Sequence, residues 1–135
     1  MLQEIFFKEN YLRVSYENEK KYAIFKWWRF GIPLADIQVA HQTALDTLLK
    51  NNAYDYIAET SEATGALIES IIKWWTEIWV PKLQSSNIKN IVTVVPKSVI
   101  ATYSTKDWQE AAFGGIIMKN VKSLEEAEAF LASKK

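Results

Sequence analysis

The sequence predicts an α/β fold: a single domain over residues 1–135, with a mixed, mainly parallel β-sheet and helices packed on it. Three observations carry this expectation. Segments with the period of a strand, or with continuous β-branched character, alternate with segments of helical period. Turn-forming residues separate them, and no repeat, low-complexity tract or flexible linker intervenes. A chain of 135 residues can also bury about two-thirds of its unfolded surface without disulfide or metal staples.

Each element has its own warrant. Leu12, Val14 and Tyr16 alternate with Arg13, Ser15 and Glu17, the pattern of a half-buried strand. The polar stretch Glu17–Lys20 turns the chain into a second strand over Lys21–Trp28, antiparallel to the first. Gly31 and Pro33 break that strand, and Pro33 suits the start of a helix. From Leu34 to Lys50, Leu34, Ile37, Ala40, Ala44, Leu45, Leu48 and Leu49 share one helical face, and Asn51-Asn52 ends it. Tyr54–Ala58 is a short strand, followed by the polar loop Glu59–Thr64. Ile91–Val95 (IVTVV) is nearly all apolar, as expected of a strand covered on both faces. Lys97–Gly115 is less legible. Val99–Tyr103 fits strand or helix, and Lys106–Phe113 leans helical before Gly114-Gly115. Ile116–Val121 is a last strand. Ser123-Leu124-Glu125-Glu126 forms a capping box that opens a terminal helix, with Lys134 and Lys135 at its negative end. The predicted order is β-β-α-β-α-β-(α)-β-α.

The segment Gly65–Pro81 (GALIESIIKWWTEIWVP) carries three of the six tryptophans. At 100° per residue, Leu67, Ile68, Ile71, Ile72, Trp74, Trp75, Ile78 and Trp79 occupy an arc of about 160°. A helix on a sheet usually buries about 100° or slightly more, so indole surface is left at the margins, at Trp74 and Trp79. Core packing is the leading reading of this face. A hydrophobic ligand pocket and a self-association patch are its rivals. Within Lys26-Trp27-Trp28-Arg29-Phe30, strand alternation puts Trp27 and Trp28 on opposite faces, one in the core and one at an edge, pocket or dimer contact.

Composition excludes several chemistries. Sixteen basic residues balance sixteen acidic ones, seven against eight over residues 1–60 and nine against eight over 61–135. Neither half carries the basic field that nucleic acid requires. Without cysteine there is no disulfide, thiolate metal site or cysteine nucleophile. Gly31, Gly65, Gly114 and Gly115 form no phosphate-cradling loop. No spacing singles out a catalytic carboxylate pair. Asp55, inside an apolar strand, reads as a turn or surface residue rather than a perturbed acid. His41, the lone histidine, lies on the apolar face of the first helix. A packed residue is the favoured reading and a general base the competing one, and one histidine cannot supply a zinc site. No signal peptide or membrane span is legible, so the expectation is a cytoplasmic protein without metal or cofactor.

The opening strands ending in KWW, the helix with W-V-P-K-L, the strand at Ile88–Val95 and the closing S-L-E-E-A-E-A-F-L together resemble the STAS/SpoIIAA-like superfamily. Its founding members are anti-sigma-factor antagonists. The resemblance covers nearly the whole chain. It implies a non-enzymatic regulatory or binding module that acts by protein–protein interaction. In the antagonist branch, Asp-Ser-Ser-Gly-Leu opens the second helix and its first serine is the phosphorylation switch. Here the comparable stretch is Glu62-Ala63-Thr64-Gly65-Ala66, with Ala63 at the acceptor position. Thr64, one residue late, is the candidate phosphoacceptor, with Thr60 and Ser61 further back. A helix N-terminus would favour the phosphate and Glu59 and Glu62 would oppose it, whereas the plainer role of these hydroxyls is N-capping.

The functional expectation is therefore a binding module. Trp28, Trp74, Trp75 and Trp79 are its ligand or partner contacts, and the partner is another protein or a second copy in a homodimer. The alternative is a domain that holds a small hydrophobic ligand or lipid in a tryptophan-lined pocket. An enzyme using His41 is the third reading.

Overall fold

The computed structural model describes residues 1–95 and 116–134. The expected helix and strand alternatives within Lys97–Gly115, and Lys135, lie outside the described residues. The fold is α/β, as expected. A six-stranded sheet has its strands in chain order, β1 (Leu2–Lys8), β2 (Leu12–Glu17), β3 (Tyr22–Trp27), β4 (Asp55–Glu59), β5 (Asn90–Val94) and β6 (Ile117–Val121). β1, β2 and β3 form an antiparallel meander, whereas β4, β5 and β6 are each added parallel to the strand before. The sheet is thus mixed, with an antiparallel first half.

β1 is absent from the sequence-based order, and the structure gives the reason. The ladder to β2 is interrupted between Glu4 and Phe6, where the register shifts at a β-bulge. Ile5 and Phe6 consequently both pack against the same core, so the period of two that marks a strand is broken. Asn10 (φ 67°) closes the β1–β2 turn and Lys21 (φ 58°) the β2–β3 turn.

Alternation along β2 and β3 divides the interior. Leu12, Val14 and Tyr16 of β2 and Ala23, Phe25 and Trp27 of β3 face one core. Tyr22 and Ile24 join Ile57, Val92, Val94 and Val121 in a second core on the opposite face. β5 is buried at every position, as its sequence predicts. α1 (Leu34–Lys50) follows Pro33 directly, with Asp36 in its first turn and Lys50 in its last, signs that suit the helix dipole. It seats Ile37, Ala40, His41, Ala44, Leu45 and Leu48 in the first core. Asn52 (φ 53°) takes the left-handed conformation that ends it.

The tryptophan helix differs from its expected form in two ways. It begins at Glu69, not at Gly65, which sits at φ +79° in the preceding loop. It is also not a uniform α-helix: α2 (Glu69–Trp74) runs into a π-helical turn (Trp75–Trp79) and then α3 (Val80–Gln84). Pro81 supplies the cause. It has no N–H to give to the preceding turn, and its ring crowds the carbonyl four residues back, which a widened turn relieves. The buried positions become Ile71, Trp75, Trp79, Val80 and Leu83. Ile68 and Ile78, expected on the buried arc, are instead 49% and 57% exposed.

α4 (Leu124–Ser133) covers the second core with Ala127 and Leu131. Its cap follows the sequence closely: Ser123 Oγ accepts from the Glu126 N–H at 3.1 Å. The Glu126 carboxylate reaches back to the Lys122 N–H at 2.9 Å, one residue outside the usual partner. Glu128, on the same helix, accepts from Tyr22 Oη at 2.7 Å and Lys20 Nζ at 2.9 Å, which ties α4 to the β2–β3 region. Among the described residues, no helix is long and apolar enough to cross a membrane.

Candidate functional site

The rings at the junction of α1 and the tryptophan helix form one connected aromatic cluster. Trp74 and Trp79 stack with centroids 5.5 Å apart and planes 22° apart. The His41 ring meets both edge-on, at 5.6 and 5.3 Å, and lies 4.8 Å from Phe25. Phe25 in turn contacts Tyr56 at 5.3 Å. His41 Nδ1 lies 2.9 Å from the Ile37 carbonyl. A carbonyl only accepts, so Nδ1 carries the proton and the tautomer is fixed. Burial pushes the imidazole pKa down to about 4, so it is neutral at pH 7. Its fully enclosed position fits the packed role favoured from sequence.

The four tryptophans expected as contacts do not converge on one site. Trp75 and Trp79 are 1% and 3% exposed and belong to the first core. Trp74 is half-buried at the surface of the helix layer. Trp28 is half-buried on the opposite side of the sheet from Trp27, against Phe7 (6.5 Å, edge-on) and beneath the Arg13 guanidinium (5.5 Å). The division of Trp27 into the core and Trp28 toward an edge follows the predicted alternation. Trp108 lies outside the described residues.

Two kinds of space adjoin these rings. A narrow cavity beside Trp75 is lined by Phe25, Trp27, Phe30, Tyr56 and Met118 together with Thr60 and Thr93, and its volume is about 30 Å³. That is room for a water or two, far short of an acyl chain. On the outer surface, Val39 (56% exposed) and Ile78 form a groove with Trp74, Trp79 and Lys82 of about 290 Å³. Lys82 lies 5.8 Å from the Trp79 ring and donates to the Gln42 side chain, which holds one wall. Val39 was not singled out from sequence. The signal was there, an aliphatic residue on the polar side of an amphipathic helix, but it gains meaning only when Ile78 is brought opposite.

The hydroxyls proposed as caps or acceptors have other duties. Thr64 lies five residues ahead of Glu69, so no helix N-terminus faces it. Its Oγ1 donates weakly to the Trp28 carbonyl at 3.4 Å, and its backbone bridges to Trp28 and Phe30. Thr60 is buried and donates to the Val94 carbonyl. Ser61 donates from both its N–H and Oγ to Glu59 Oε1, at 2.8 and 2.7 Å. None caps a helix; the residue before α2 is Ile68, without a side-chain cap. Ala63, at the resemblance's acceptor position, is buried. Asp55 is also buried and accepts from Asn90 Nδ2 at 2.7 Å, a structural link between β4 and β5. Among the described residues, no group of His, Asp and Glu is arranged to hold a metal ion.

No protein-family model matches the chain, and no curated protein or solved structure compared with it matches either. The class of protein rests on the α/β fold and the groove themselves.

Proposed function

We infer that the protein is a non-enzymatic binding module that recognises a protein partner, a second copy included, through the groove between α1 and the tryptophan helix. The observation that carries this reading is the pairing of exposed Val39 and Ile78 beside the half-buried Trp74. Apolar groups gathered in a concave surface, with an indole at the centre and a polar rim of Gln38, Gln42 and Lys82, have the composition of an interaction site. The resemblance to STAS/SpoIIAA-like regulators supports the same class. The alternative, a hydrophobic ligand or lipid in a tryptophan-lined pocket, depends on the cavity beside Trp75 and is disfavoured by its small volume.

The test uses Ile78→Lys, which adds charge at an exposed position and leaves the core intact. Sedimentation velocity over a concentration series should show self-association that weakens by about tenfold or more in the variant. A photo-crosslinker placed at residue 78 should capture the protein's own chain or a discrete partner in a cell extract. A monomer at every concentration, with no adduct at residue 78, overturns the proposal.

A further inference from the structure

The opposite face of the sheet holds a larger depression, remote from the helix groove. It lies between β1 and the start of α4, with a volume of about 480 Å³, well within the range of small-molecule sites. Its floor is Ser15 on β2 and Ile24 on β3, which face each other across the ladder. Leu2 and Glu4 of β1 form one wall and Leu124 of α4 the other. Arg13, Lys26 and Glu59 close one end.

Three features of this depression leave polar groups available to a ligand. Arg13 and Lys26 are directly opposed cations on neighbouring strands, an arrangement that repels. Lys26 is balanced by Glu59 and Glu62, each at 3.8 Å. Arg13, among the described residues, has no carboxylate within salt-bridge distance and is instead held over the Trp28 ring, which fixes its position and leaves its N–H donors free. Ser15 is only 7% exposed, yet its hydroxyl makes no hydrogen bond with the described residues. Glu4, directly opposite Ser15, likewise has no hydrogen-bond or ion-pair partner among them. The opposed cations and the buried Ser15 hydroxyl are local costs, and the exposed Arg13 and Glu4 charges beside them are available to a ligand.

We propose that this depression binds a free α-amino acid with an apolar side chain, through Arg13, Ser15, Glu4 and the Ile24 floor. Charge balance selects this chemistry. Lys26 and Glu59 satisfy each other, which leaves one cation, one anion and one hydroxyl turned to the same space. A simple carboxylate would satisfy Arg13 and Ser15 but stand beside the Glu4 anion. A zwitterion meets both charges. Its two ionic groups share one carbon, and their partners here, the Arg13 donors and the Glu4 acceptor, sit on adjacent strands about 4.8 Å apart. The carboxylate takes Arg13 and Ser15, the ammonium takes Glu4, and the side chain lies over Ile24 toward Leu2 and Leu124.

Isothermal titration calorimetry on the full chain tests this, with leucine and phenylalanine as probes and with 4-methylpentanoate and 3-methylbutylamine as single-charge controls. Leucine or phenylalanine should bind, and both controls should bind about tenfold or more weakly. Arg13→Gln and Ser15→Ala should each reduce amino-acid affinity, with unchanged circular dichroism. Glu4→Gln should reduce leucine affinity without weakening 4-methylpentanoate. Ile78→Lys, on the other face, should leave binding unaltered, which separates this site from the protein-partner groove. No heat with either amino acid at about 5 mM overturns the proposal, as does 4-methylpentanoate binding as tightly as leucine.

Discussion

The two faces of the sheet are finished differently. Under α1 and the tryptophan helix, the first core is roofed by aromatic rings, with cavities no larger than a few waters. On the other face, among the described residues, α4 is the helix that packs on the second core; it lies mainly against β4, β5 and β6 and reaches the β2–β3 hairpin through Glu128. Size accounts for the contrast. Six strands at about 4.8 Å spacing span about 24 Å, whereas one helix is about 10 Å across. Two helical segments can roof such a sheet, and among the described residues the second face carries one. Among the described residues no helix lies over the outer part of the hairpin, where Arg13 and Glu4 are exposed beside the buried Ser15.

The sharpest way to break this comparison is to open the finished face. Trp75→Ala removes a 1%-exposed indole from the first core and should cost about 4 kcal/mol, read by chemical denaturation. A loss under about 1 kcal/mol would show that the aromatic roof is loosely fitted.

The next largest effect comes from pH. The folded-state pKa of His41 lies below its ordinary 6.5, so the fold favours the neutral imidazole. That contribution is complete above about pH 6.5 and disappears as pH falls toward 4, a loss on the order of 3 kcal/mol. Glu17 and Glu128 are held below the usual carboxylate range, chiefly by hydrogen bonds from the Met1 amine and from Tyr22 respectively, and they lose stability in the same direction. Both remain in His41→Gln, so the difference between the two pH profiles isolates the imidazole. Parallel profiles would place His41 in contact with water.

The smallest effect belongs to the face under α4. Ser123→Ala removes the α4 cap and should cost about 1 kcal/mol in denaturation. Because α4 is the described cover of the second core, hydrogen exchange at Val92 and Val94 should rise with it, while exchange at Ile91 rises less.

Much of this architecture was legible because it depends on local period. The bounds of α1, the alternation through β2 and β3, the apolar β5 and the Ser123 cap each follow from neighbouring residues. The misread parts have non-local causes. β1 was hidden by a bulge that puts Ile5 and Phe6 on one side. Ile78 was misplaced because a uniform rotation of 100° per residue fails across the π turn. Thr64 was set beside a helix start because nothing in Glu62–Ala66 reveals that the chain first crosses to Trp28 and Phe30. The tryptophans stand out in the sequence, but their distribution between core and surface depends on strand pairing and on the pitch change. The Arg13–Ser15–Glu4 arrangement was invisible for a similar reason: its members meet only once β1 is known to be a strand in register with β2.

The π turn has a further consequence for how this helix tolerates change. It stores one residue more than regular pitch requires, so a deletion between Trp75 and Trp79 could be absorbed by winding that stretch into an ordinary α-turn. Such a chain would keep a helix here yet alter which aliphatic side chain meets solvent, because Ile78 points outward only while the surplus residue is present. The outer relief of this layer is therefore encoded in helix length as much as in side-chain identity.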